Sequence, residues 1–171
     1  MAMSTSTQQH RSESPTAVRC AVITVSDTRT LDTDRGGALI VELLATAGHT
    51  IASREIVPDE PDRMRPLVEA LARDEAIDAI LLTGGTGIAA RDQTFETISS
   101  MLDKEMPGYG ELFRMLSFPE IGPAAMLSRA IGGVRNRTIV LTMPGSTNAV
   151  RLAMEKLIVP EIGHLVHEAT K

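Results

Sequence analysis

Aromatic side chains are scarce in this chain: it has no Trp, one Tyr and three Phe, 2% of its residues. Base-stacking platforms and aromatic sugar clamps are therefore not expected. A single cysteine, Cys20, excludes an internal disulfide, and its place within an apolar run reads as a small core residue. No apolar run approaches the ~20 residues that span a bilayer. The first 15 residues lack the apolar centre of a secretory signal, so a cytoplasmic location is expected. Positive charge is not in excess: 17 Lys and Arg face 22 Asp and Glu, giving a net charge of −5 and a pI of about 5.4. No basic face is implied, and nucleic acid is not an expected partner. What remains is 171 residues, 43% hydrophobic and 23% charged, the composition of one soluble globular domain. The Ser-, Thr- and Gln-rich residues 1–17 are expected to form a disordered tail ahead of a domain over 18–171.

Short apolar, β-branched runs at residues 19–26, 50–57, 77–83 and 137–142 read as strands, the first, third and fourth buried on both faces. Helical spacing of apolar residues marks 38–47, a segment entered through Pro61, 94–102, 109–116, a stretch near 124–130, and 147–159. Gly132, Gly133 and Asn136 are expected to form a turn. This alternation predicts an α/β fold: a doubly wound, mostly parallel sheet with helices on both faces. Ligands of such sheets bind outside the carboxyl ends of the strands. The loops after Ser26, Thr83 and Thr142 meet that condition, and all are rich in Gly, Ser, Thr or Asp.

Thr83-Gly84-Gly85-Thr86-Gly87 follows a buried strand. Glycines let the backbone approach a ligand and aim N–H groups at an anion, so a phosphate-bearing ligand is expected; a tight turn needing positive φ is the plainer reading. No Gly-Lys-Ser/Thr follows, so this is not a Walker A loop. Gly85 to Ala90 matches a relaxed dinucleotide pattern, but no strand precedes the acid at Asp103. Asp59 and Asp92 each read singly as a helix-start acid; beside a phosphate loop the two could hold Mg²⁺. Asp27, Asp32 and Asp34 read as loop or capping residues. Met143-Pro144-Gly145-Ser146 reads as a turn with Ser146 or Thr147 capping the last helix, opposite the glycine loop. Arg129, after Ser128, could clamp a phosphate or carboxylate. His164 and His167 lack a third ligand at a zinc spacing and read as a polar helix face.

Taken in order, these motifs resemble one family. Ser26-Asp27, Pro58-Asp59-Glu60, the 83–87 loop with Arg91-Asp92, Pro107-Gly108-Tyr109-Gly110-Glu111, Ser128-Arg129 and Pro144-Gly145-Ser146 look like the MoaB/MogA family of molybdenum cofactor biosynthesis, which includes the G domain of gephyrin. The match spans residues 19–159, and the stretch 113–118 with Ile121-Gly122 is similar to the MoaB branch. The resemblance implies a homo-oligomer, a trimer or a hexamer, that binds molybdopterin and works with other proteins of the pathway. It implies Mg²⁺-dependent transfer of AMP from ATP to the terminal phosphate of molybdopterin, with Asp59 and Asp92 as catalytic, metal-binding carboxylates. Ser26, Asp27, Thr83, Gly84, Gly85, Thr86, Gly87, Glu111, Ser128, Arg129, Pro144, Gly145 and Ser146 would line the site. Ile88 stands where MogA-type chains have Pro, and Gln93-Thr94-Phe95 where they have Val-Thr-Pro. A catalytically silent molybdopterin carrier of the same fold is the alternative.

Overall fold

The structure, a computed structural model, describes residues 14–171; of the tail expected over residues 1–17, residues 1–13 lie outside them. Residues 14–16 are seated against the last helix, where the Pro15 carbonyl would lie 2.6 Å from a Cβ on Gly163. The elements run β1 (Arg19–Val25), α1 (Arg35–Thr46), β2 (Thr50–Val57), α2 (Pro61–Arg73), β3 (Ala79–Thr83), α3 (Thr94–Ser99), β4 (Lys104–Glu105) and α4 (Pro107–Ile121). A 3-10 segment (Gly122–Leu127), β5 (Gly132–Arg135), β6 (Thr138–Met143), α5 (Thr147–Ala153), a π-helical turn (Met154–Ile158) and α6 (Val159–Thr170) follow.

One six-stranded sheet has the order β2-β1-β3-β6-β5-β4. β2, β1, β3 and β6 are parallel; β5 pairs antiparallel with β6, and β4 antiparallel with β5. The doubly wound α/β expectation therefore holds, with an antiparallel edge added. Side chains alternate between the faces along each strand. Cys20, Val22, Leu81, Leu141 and Met143 pack with Leu39, Ile40 and Leu44 of α1, Val150 of α5 and Ile162 of α6. Ala21, Ile23, Ile80, Leu82 and Val140 pack on the other face with Met64 and Val68 of α2 and Ile98 of α3. Both faces of β1, β3 and β6 are thus buried, which is why these strands are mostly apolar, with threonine as their buried polar residue.

Four local expectations need correction. Gly132 and Gly133 belong to β5, not to a turn: a Cβ on Gly132 would meet Leu141 Cδ2 at 2.5 Å, and one on Gly133 the Lys104 carbonyl oxygen at 2.1 Å. These glycines mark close approach of neighbouring chain; the turn is made by Asn136, at φ 55°. The stretch near 124–130 is a 3-10 segment ending at Leu127 and not an α-helix. α3 stops at Ser99, short of residue 102. The last helical region does not end at 159 but continues through the π-helical turn into α6. Pro160 follows that turn and has no N–H to donate to a carbonyl four residues back, which favours a local change of helical register there.

Candidate functional site

Because β1, β2, β3 and β6 run parallel, their carboxyl ends share one edge of the sheet. The loops leaving them are joined. Ser26 N–H donates to the Val57 carbonyl (2.8 Å), Gly84 N–H to the Met143 carbonyl (3.1 Å), and Thr83 Oγ1 to the Pro144 carbonyl (3.2 Å). Gly84, at φ +97°, presses against β1, where a Cβ would stand 2.3 Å from the Val25 carbonyl oxygen. Gly85, at φ +63°, leaves space for two groups: a Cβ there would lie 2.2 Å from Thr94 Oγ1 and 2.3 Å from Asp59 Oδ2. The glycine requirement thus has two causes at once, backbone conformation and the approach of a carboxylate.

Asp59 is buried, at 5% exposure. Its Oδ1 accepts the Gln93 N–H (3.0 Å), and its own N–H donates to Asp27 Oδ1 (3.2 Å). Burial pushes the Asp59 carboxyl above the usual carboxylate range; the Gln93 N–H opposes this, and the charges of Asp92 and Asp27 add to it. Asp92 Oδ2 accepts the Ala89 N–H (3.1 Å) and lies where a Cβ on Gly87 would come within 2.4 Å. Arg91 donates through Nε to Asp27 Oδ2 (2.8 Å) and through Nη2 to Asp27 Oδ1 (2.7 Å) and Glu60 Oε1 (3.3 Å). The Arg91 guanidinium, with the Asp59 N–H, holds the Asp27 carboxyl below its ordinary range. Loops from β1, β2 and β3 are therefore tied through Asp27, Asp59 and Arg91.

On the other side of Gly84 lies a cleft of about 680 Å³, bordered by Thr24, Ser26, Arg29, Asp34, Gly84 and Gly145. Asp34 forms its floor. It caps α1 by accepting the Gly37 N–H (2.9 Å), and its Oδ2 accepts from Thr24 Oγ1 (2.8 Å) and Arg54 Nη2 (3.0 Å). Burial raises the Asp34 carboxyl, but these three donors outweigh it and leave the group below its usual range. The cleft lies on the α1 and α5 face of the sheet, while Asp59 and Thr94 lie on the α2 and α3 face. Gly84 is the seam between them. A second hollow of about 590 Å³ opens between Arg19, Asp78 and Arg137. It is at the amino ends of the strands, and Arg19 and Asp78 pair there at 2.6 Å.

The edge thus brings together Ser26, Asp27, Asp59, Thr83, Gly84, Gly85, Thr86, Gly87, Asp92, Pro144 and Gly145. Ser146 caps α5, its Oγ accepting the Ala149 N–H (3.2 Å). Arg129 is engaged by its own chain: it donates to the Thr86 carbonyl (2.9 Å), the Gly87 carbonyl and Glu96 Oε1 (2.5 Å), and stacks on Phe95 with 4.9 Å to the ring centroid. It shapes the loop from behind. Ser128 is buried beside it, its carbonyl accepting from Arg114 (3.4 Å). Glu111 stands exposed one turn into α4 and makes no hydrogen bond or ion pair with these loops. Arg54, Gln93 and the pairing of Arg91 with Asp27 and Glu60 escaped the motif reading; the polar run ahead of the Asp34 cap was the available signal for the cleft. Among the described residues no group of three or more His, Cys, Asp or Glu is placed to hold a metal ion by itself. None of the described helices is long and apolar enough to cross a membrane.

A doubly wound sheet with a glycine loop and two carboxylates at its carboxyl edge defines an α/β protein whose candidate ligand site lies at the switch point between β1 and β3. The family described as "Probable molybdopterin binding domain" matches residues 21–164, and the chain belongs to it. It is 55% identical over 167 residues to molybdenum cofactor biosynthesis protein B of Halalkalibacterium halodurans, covering 97% of this chain and 98% of that protein. Its fold matches a crystal structure of a molybdenum cofactor biosynthesis protein B with a TM-score of 0.89 at 53% identity, covering 92% of this chain and 99% of the other. It also matches the tungsten cofactor synthesizing protein MoaB of Pyrococcus furiosus, with a TM-score of 0.79 at 35% identity, over 92% and 99% of the two chains.

Proposed function

We propose that this protein acts in molybdenum cofactor biosynthesis by binding molybdopterin at the carboxyl edge of its sheet and transferring AMP from ATP to the pterin's terminal phosphate. The observation that carries this reading is the buried Asp59 carboxylate, raised by burial and neighbouring negative charge, held across Gly85 from the loop that bears Asp92. In the reaction, an oxygen of the terminal phosphate attacks the α-phosphorus of ATP. A new P–O–P linkage forms, the α–β bond breaks, and pyrophosphate leaves. Such a transfer demands positioning and charge neutralisation more than a covalent nucleophile.

The donor set suits Mg²⁺, which commonly takes one or two carboxylates with phosphate oxygens and water. Asp59 and Asp92 would hold it, and the charge of Asp92 beside buried Asp59 is one that a cation would relieve, while Arg91 already offsets Asp27. Mg²⁺, when bound, supplies positive charge to the α-phosphate and the leaving pyrophosphate. The chain's own part is orientation. Backbone N–H groups of residues 85–87 would face the phosphates, the Gly84 N–H being taken by the Met143 carbonyl; Arg129 fixes that loop from behind, and the cleft beside Asp34 would take the pterin end. Assembly as a trimer or hexamer accords with the exposed apolar side chains of α4 and the 3-10 segment: Leu112, Met115, Phe118, Ile121, Met126 and Leu127, 46–72% exposed.

A second reading, a carrier that binds molybdopterin without transfer, draws on one observation: both carboxylates accept loop N–H groups, Asp59 from Gln93 and Asp92 from Ala89, as structural caps do. Turnover separates the two. The protein is mixed with Mg²⁺, ATP and fresh molybdopterin, and the adenylated pterin is sought by mass. We expect product from the wild type and its loss in Asp59→Ala and Asp92→Ala. Pterin binding with no product would establish the carrier.

A further inference from the structure

We propose that Arg91 is an exchangeable cation: it is parked on Asp27 and Glu60 in the free protein and leaves them to hold the polyphosphate chain of an incoming nucleotide. This rests on the nucleotide reading above and assigns one residue's part in it.

Two arginines border the glycine loop, Arg91 within it and Arg129 reaching it from the segment ahead of β5, and they are held very differently. Arg129 is locked, 23% exposed, stacked on Phe95 and bonded to two backbone carbonyls. Arg91 is 54% exposed and touches only carboxylates, Asp27 at 40% and Glu60 at 49% exposure. Exposed ion pairs are generally weak, because water and salt already solvate both partners; the two-pronged contact with Asp27 makes this one stronger than most, so only a ligand offering the same geometry can replace it. The same planar guanidinium matches phosphate oxygens in the two-pronged geometry it now makes with Asp27. Exchange therefore trades one set of charge-assisted bonds for an equivalent set, at little cost.

Position supports the exchange. Arg91 sits four residues past Gly87, beside Asp92, and spans from the β3 loop to the loops after β1 and β2. Its departure does not unseat Asp59, whose N–H remains bonded to Asp27 Oδ1. It does uncover two further negative charges, Asp27 and Glu60, beside Asp59 and Asp92. The edge then favours a cation more strongly once a polyphosphate has drawn Arg91 away, so polyphosphate and divalent cation arrive as a pair.

The test is calorimetric titration with inorganic tripolyphosphate and Mg²⁺ at fixed ionic strength, on the full chain. Arg91 and Glu60 are exposed, so variants there fold, and circular dichroism verifies it. We expect R91Q to weaken binding about tenfold, the worth of one good charge-assisted pair, with R91K between. E60Q should tighten binding modestly, because it removes one of the two carboxylates that compete for Arg91, Asp27 remaining. That gain should shrink in R91Q/E60Q, where no arginine remains to be released; the double-mutant cycle isolates this coupling from the general effect of removing a negative charge. Wild-type affinity in R91Q, or an equal E60Q gain in both backgrounds, would overturn the exchange while leaving the nucleotide reading intact. A wild type that binds neither tripolyphosphate nor ATP would overturn the nucleotide reading and the exchange with it.

Discussion

Replacing Gly85 by Ala tests how firmly the loop and Asp59 are fixed against each other. Two costs apply there. A residue with a Cβ at φ +63° is in the left-handed region, worth roughly 1–2 kcal/mol against it. The new Cβ would also stand 2.2 Å from Thr94 Oγ1 and 2.3 Å from Asp59 Oδ2, so something must shift. Thr94 is fully buried at the start of α3 and Asp59 nearly so, and overpacking at such sites costs about 1–3 kcal/mol. The sum for Gly85→Ala is about 2–5 kcal/mol. Gly48→Ala supplies the control. Gly48 has φ +85° but nothing within 4 Å of its added Cβ, so it carries the backbone cost alone, about 1–2 kcal/mol. Urea unfolding of both variants by circular dichroism, with equal m-values, reads the difference directly. Equal losses in the two variants would refute the reasoning: the Asp59 carboxylate would then be free to swing away, and its place beside Gly85 would not be an enforced one.

Asp59→Asn should stabilise the fold by about 0.5–1 kcal/mol while abolishing transfer, as expected of a carboxylate kept for function at a cost in stability. Its carboxyl is raised in the folded state, so the wild type should match the variant at low pH and fall behind as pH rises through the folded value; a wild type more stable than Asp59→Asn at neutral pH would overturn this. Asp34 behaves oppositely. Its carboxyl is lowered on folding, so its contribution is present above the unfolded carboxylate range, about 4, and is lost as pH falls through the folded value. Asp34→Ala should cost about 1–2 kcal/mol at pH 7 and less at pH 3, read by chemical unfolding. Phe118→Glu with Met115→Glu should reduce the assembled size seen by light scattering and leave the helical signal unchanged, since both side chains are more than half exposed in the single chain.

The fold was legible where the burial pattern is local. β1, β3 and β6 announce themselves because both of their faces are covered, and the glycine loop because its conformation demands glycine. The edge was not legible. Gly132 and Gly133 look like punctuation in a linear pattern, yet they are small because Leu141, Tyr109 and Lys104 from other elements crowd them. Within the site, the aspartates stood out through their neighbours in sequence and through family resemblance. Their supports did not. Arg91 lies 64 residues from Asp27, and Arg129 lies 43 from Thr86 and 33 from Glu96. Periodicity carries nothing about such pairs; only the crossing order of the strands brings them together. Arg129 shows the cost of reading residue type alone, because an arginine beside a glycine loop looks like an anion ligand whether it points at a ligand or at the loop's own carbonyls.

Gly84 divides the edge into a cleft on one side of the sheet and a carboxylate site on the other, with only backbone between. A molecule that occupies both halves must lie across this bare saddle. Two separate ligands each surrender their own translational freedom on binding, but the conjugate formed by linking them surrenders it once. A linked compound lying across the saddle would therefore be held harder than either piece. In the transfer proposed above, escape of the conjugate would then be the slow event, and an acceptor able to lift it off directly would set the pace.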